Sequence, residues 1–92
     1  MTRLKIKDNF IFQEVAGDFL VVPIGEESLR LNGVIKLNET GALIWKSLEQ
    51  KDCSKQELVR IIIEEFHVTE DVAEKDIELF LDILNQYGCI LY

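Results

Sequence analysis

Cys53, Cys89 and His67 carry the most reactive side chains in this sequence. A nucleophilic site would need a thiolate beside a base, and a metal site three or four ligands at suitable spacing. Neither pattern is present: there is no C-x-x-C pair, and a single histidine joins the two cysteines. The sequence also lacks G-x-x-x-x-G-K-[ST], G-x-G-x-x-G and H-E-x-x-H. The carboxylates Glu64-Glu65 and Glu70-Asp71 fall on or near helix ends, where acids are ordinarily solvated. The residue types point to a binding module, with no enzymatic activity, no cofactor and no metal.

The 92 residues are 48% hydrophobic and 29% charged, which suits one globular domain spanning residues 1–92. No stretch approaches the roughly 18 apolar residues that a membrane span needs. The basic start, Arg3 to Lys7, is not followed by a signal-type apolar run, because Gln13 and Glu14 interrupt it after Phe10-Ile11-Phe12. A cytoplasmic chain with reduced cysteines is the expectation. The net charge of −7 repels nucleic acid and anionic lipid. It suits basic or amphipathic peptides or a basic face of a partner protein, and it also serves plain solubility.

Strand-like segments fill the first forty positions. Phe10 to Val15, the turn Ala16-Gly17-Asp18, and Phe19 to Ile24 predict an antiparallel hairpin. Both faces of the second strand are apolar, so both should be covered. Gly25 to Ser28 is expected to be a polar turn, and Leu29 to Leu31 a short ladder or ordered loop. Asn32-Gly33 carries the signature of a type I′ turn leading into a third strand, Val34 to Leu37.

The period then becomes helical. Asn38 is a candidate N-cap for a helix carrying Ala42, Leu43, Trp45 and Leu48 and fading near Gln50. Gly41 in its first turn suggests close packing against the sheet, and Trp45 a core anchor. Ser54-Lys55-Gln56-Glu57 reads as a capping box for a second helix with the stripe Leu58, Ile61, Ile62 and Phe66. Thr69 caps a third helix whose main stripe is Ala73, Ile77, Phe80, Leu81 and Leu84, with Gly88 as its stop. A second row, Val72, Leu79 and Ile83, lies about 100° to one side. Spacing alone favours core packing for that row; the wall of a groove is the other reading. Cys89 to Tyr92 is expected to pack back as a short strand or tail.

A three-stranded antiparallel sheet followed by three helices is an α+β arrangement of winged helix-turn-helix type. Such folds often bind DNA, but the third helix sets six acids against Lys75 and would be repelled by phosphates. The alternative is the free edge of the sheet, where unpaired N–H and C=O groups accept a peptide as an extra strand. Val34 to Leu37 is the expected edge. Only one of the neighbours Ile35 and Lys36 can direct its N–H outward.

The run Leu37-Asn38-Glu39-Thr40-Gly41-Ala42-Leu43-Ile44-Trp45, with the preceding Val34-Ile35-Lys36, resembles the signature of the PqqD-like family. The likeness extends to the Ser-x-x-Glu-Leu helix start, Phe66, the acidic third helix and the terminal Gly-x-Ile-Leu. It implies a peptide-recognition domain that binds the leader of a ribosomally made precursor and presents it to a modifying enzyme, often a radical S-adenosylmethionine protein. It further implies a cleft between the third strand and the third helix. The site residues expected on this basis are Val34, Ile35, Lys36, Leu37, Asp76, Leu79 and Ile83, with Asp76 facing a leader cation. Quinone-cofactor synthesis is not singled out. An adaptor for a folded protein partner is the alternative, and a monomer or weak dimer is expected.

Overall fold

A computed structural model describes residues 3–31 and 33–91 of the chain. In chain order the elements are β1 (Arg3–Ile6), β2 (Phe10–Val15), β3 (Asp18–Pro23), α1 (Glu26–Arg30), β4 (Ile35–Leu37) and α2 (Glu39–Gln50). They continue with β5 (Cys53–Ser54), α3 (Lys55–Phe66), α4 (Glu70–Tyr87) and β6 (Ile90–Leu91). Strands β2, β3 and β4 form the expected antiparallel sheet in that order, so β4 is an edge. A second small sheet, β5-β1-β6, ties both ends of the chain to the start of α3.

The three long helices start where side chains can satisfy their first amides. Asn38 accepts from the Gly41 N–H at 2.7 Å, and Thr69 accepts from that of Val72 at 3.3 Å. Ser54 and Glu57 exchange bonds as a full capping box. Gly88, at φ 68°, ends α4 in the left-handed region, and its N–H and that of Cys89 return to Asn85 O and Leu84 O.

The core lies between these helices and the inner face of the large sheet. It joins Phe10, Val21, Ile35 and Leu37 to Ile44, Trp45, Leu58, Ile62 and the whole main stripe of α4. Ile61 and Phe66 of the α3 stripe are only partly buried and pack at its margin. Trp45 is fully buried and meets Phe10 edge-on at 6.4 Å, although its indole N–H has no partner among the described residues. The bulk of the ring outweighs that orphaned donor, since filling this volume is worth more than one hydrogen bond. Cys53 and Cys89 are buried and unpaired; burial raises both thiols, Cys89 to about 11, so neither is a thiolate near neutral pH.

Several sequence expectations give way. The polar turn at Gly25 to Ser28 and the ladder or loop at Leu29 to Leu31 are replaced by the helix α1. No strand precedes Asn32-Gly33, so no hairpin turn joins two strands there; Asn32 itself lies outside the described residues. The third strand begins at Ile35, not Val34. The outer face of β3 is only partly covered: Leu20 and Val22 are half-buried, and Ile11, opposite Val22 on β2, is 41% exposed. The tail strand forms as expected at Ile90–Leu91, and Tyr92 lies outside the described residues. Strands β1 and β5 were not foreseen, because four and two residues are too few to show a period.

Helix α1 is held by a buried ionic clasp. Glu27, 5% exposed, takes Lys7 Nζ at 2.8 Å on one oxygen and the Arg30 guanidinium on the other. Arg30 also donates to Tyr87 O at 2.8 Å, which joins α1 to the end of α4. A charge buried here is tolerable only because it is paired. Bonds from Lys7, then from Arg30, hold the Glu27 carboxyl below its ordinary value. Its stabilisation is therefore complete above the unfolded carboxylate range and lost as pH falls through the lower folded value. Glu27→Gln should melt well below wild type near neutral pH, and the gap should close below about pH 4 in thermal scans. A gap that stays constant into acid would show that ionisation is not what holds the clasp.

Candidate functional site

The direction of each main-chain group on β4 follows from the sheet register. Ile24 N–H donates to Asn9 O at 2.9 Å, so hydrogen-bonded pairs alternate from there to Ile11↔Val22, Gln13↔Leu20 and Val15↔Asp18. Leu20 and Val22 thus face β2, while Phe19 and Val21 turn their groups to β4. Their partners there are Leu37 and Ile35. Lys36, opposite Leu20, must direct both its N–H and its C=O away from the sheet. The tail pairs with β1 and leaves this rim free. The carbonyl of Asn38 is taken by Ala42 N–H at 2.9 Å, which closes the edge where α2 begins.

Beside this rim runs a groove of about 390 Å³ between β4, the first turn of α2 and α4. Lys36, Leu37 and Gly41 line one side; Asp76, Leu79, Phe80 and Ile83 line the other. The α4 residues recur at helical spacing and so form a single stripe. Leu79 is 61% and Ile83 40% exposed, and Val72 also faces solvent at 45%. The core reading of that row is therefore wrong: Leu79 and Ile83 present apolar surface to the groove, and Val72 lies outside its lining.

Of the seven residues expected from the sequence, Lys36, Leu37, Asp76, Leu79 and Ile83 meet at this one cavity. Ile35 is buried in the core, and Val34 is exposed off the groove. Phe80 was expected in the core, where it is 6% exposed, and it also lines the groove. Gly41 was expected to approach the sheet. A Cβ there would instead lie 3.0 Å from two Phe80 ring atoms, so its missing side chain makes room for α4. The signal was present in the glycine, but nothing local says which element it meets.

A second cavity of about 440 Å³ lies between α3 and α4. It is the larger, but charged and polar walls such as Gln56, Arg60, Glu64 and Glu74 dominate it and no sheet edge borders it. The groove beside β4 combines unpaired main chain with apolar surface, which is what capture of an extended chain requires. No cysteine or histidine lines it. Among the described residues no group of histidine, cysteine or acidic side chains could hold a metal, and no helix is long and apolar enough to cross a membrane.

The sequence matches the family model for coenzyme PQQ synthesis protein D (PqqD) over residues 21–90. No curated protein matches it. Two solved structures share the fold. TbiB1 in complex with the TbiA(beta) leader peptide is 24% identical with a TM-score of 0.73, covering 94% of this chain and 93% of that one. Lasso peptide synthetase B1 complexed with the leader peptide is 17% identical with a TM-score of 0.72, covering 99% and 100%.

Gly41→Ala tests the packing that shapes the groove. The gain of about 1 kcal/mol in helix propensity should be outweighed by overpacking of about 1–3 kcal/mol against Phe80. A net loss near 1 kcal/mol in denaturant unfolding is expected, with altered Phe80 ring resonances. Unchanged resonances with higher stability would show that the ring yields freely.

Proposed function

The chain belongs to the PqqD family, and from that premise we propose that it captures the leader segment of a ribosomally made precursor peptide by strand addition to β4. The single observation that carries this reading is the outward rim at Lys36 beside the apolar trough of Leu79, Phe80 and Ile83. The incoming peptide would extend the sheet with main-chain bonds and send alternate side chains into the trough. That both structural neighbours are complexes with leader peptides supports it.

Captured precursor would then be presented to a separate modifying enzyme, of the radical S-adenosylmethionine class in one form of this arrangement. The benefit is a raised local concentration of substrate at the enzyme, with no chemistry by the carrier. We place the event in the cytoplasm, in keeping with two free cysteines.

Strand addition has a directional test. Proline is tolerated on an edge strand where its missing N–H faces solvent. Lys36→Pro should fold normally and weaken leader binding about tenfold or more in calorimetry. Ile35→Pro removes a ladder bond to Val21 and should damage the sheet itself, visible as a lower melting temperature. Undiminished binding by folded Lys36→Pro would rule out this edge. For the trough, Leu79→Asp should weaken binding far more than Lys75→Ala, with circular dichroism unchanged in both; equal effects would remove the trough from the site.

A further inference from the structure

Among the described residues, Glu27, Glu57 and Asp76 are the acidic side chains withdrawn from full exposure. Glu27 is paired with Lys7 and Arg30, and Glu57 with Arg3 and Lys51. Asp76 has neither an ion pair nor a hydrogen bond among the described residues, although it lines the groove. Among the described residues no cation pairs with it: Lys36 reaches Asp18 at 3.4 Å and stays 69% exposed, and Lys75 does not line the cavity. Asp76 is therefore open to a cation brought by a ligand, and a charge-assisted bond formed beside apolar walls is stronger than one in open water.

Asp76 stands about one helical turn, ~5 Å, before Leu79 and Phe80. Side chains two apart on an extended strand are separated by about 6.7 Å and point the same way. The two spacings are close enough that neighbouring trough-facing side chains of a strand laid on β4 can reach Asp76 and the Leu79–Phe80 turn together. Resting on the capture reading above, we propose that the groove selects peptides carrying Lys or Arg two positions from a large apolar residue. The cation pairs with Asp76, and the apolar side chain enters the trough of Leu79, Phe80 and Ile83. The remaining acids of α4 add a long-range pull toward basic segments and hold off acidic ones.

A displayed library of random decapeptides, selected against wild type, Asp76→Asn and Asp76→Lys, tests this without knowledge of the natural leader. Wild type should enrich Lys or Arg two positions from Leu, Ile, Phe, Tyr or Trp. A resynthesised winner should bind Asp76→Asn about three- to tenfold more weakly, with the difference shrinking at high salt. Asp76→Lys should enrich Asp or Glu at the same position while keeping the apolar residue. Winners with the apolar residue but no charge preference, or a preference unmoved by Asp76→Lys, would overturn this inference and leave capture standing. Absence of any winner, or winners bound equally by Lys36→Pro, would overturn capture itself.

Discussion

The structure turns on a strand of three residues that is bonded on one side only. Ile35 and Leu37 are spent twice, since their main-chain groups close the ladder to β3 and their side chains fill the core. Lys36 is spent on neither. Alternation along a strand makes this division unavoidable: whatever fixes Ile35 and Leu37 inward fixes the amide of Lys36 outward. The register of the hairpin ahead of it, set through Asn9 and Ile24, decides which of the two arrangements occurs. A slip of one residue would bury Lys36 and expose two aliphatic side chains, so the free amide is specified by the core itself.

The second requirement is a wall at the right distance, and α4 supplies it through contacts at its middle and at its C-terminal end. Gly41 lets Phe80 approach the start of α2, which brings the stripe from Asp76 to Ile83 alongside β4. At the far end, Arg30 holds the carbonyl of Tyr87 while Gly88 turns the chain into β6 beside β1. A Cβ at Gly88 would lie 2.9 Å from the Arg30 guanidinium, so a side chain there would push that group aside. The trough is thus bounded by packed and ion-paired elements, and its shape does not depend on a loop.

The sheet, the three long helices with their caps, and the main stripe of α4 were legible in the sequence. Each rests on local chemistry: Asn38, Ser54 and Thr69 cap through bonds within three residues, and Ala73 to Leu84 repeat at helical period. Helix α1 was not, because five residues with Glu26, Glu27 and Ser28 carry no stripe, and their order depends on Lys7 and Tyr87, far away in sequence. The same limit applied to the groove. Leu79 and Phe80 are adjacent and both apolar, and spacing cannot tell that one is 61% and the other 6% exposed. That difference arises only once β4 and Gly41 are in place. The family resemblance supplied the missing tertiary information by pairing this strand with this helix.

How affinity divides between rim and trough follows from magnitudes. The rim is short: Lys36 offers two groups, while Ile35 and Leu37 are bonded to β3 and the Asn38 carbonyl is taken by Ala42. At a net ~1 kcal/mol each, such bonds barely offset the ~2–5 kcal/mol needed to order a flexible peptide. Micromolar capture requires about 8 kcal/mol. The balance must come from apolar side chains, each worth roughly 1.5–3 kcal/mol when fully buried. The trough of Leu79, Phe80 and Ile83 can take only those that the strand geometry points toward it. On the proposed capture, the rim would fix where an incoming peptide lies and which of its residues are read, and the trough would decide how tightly it stays. A carrier built this way can accept many sequences in register while holding few of them.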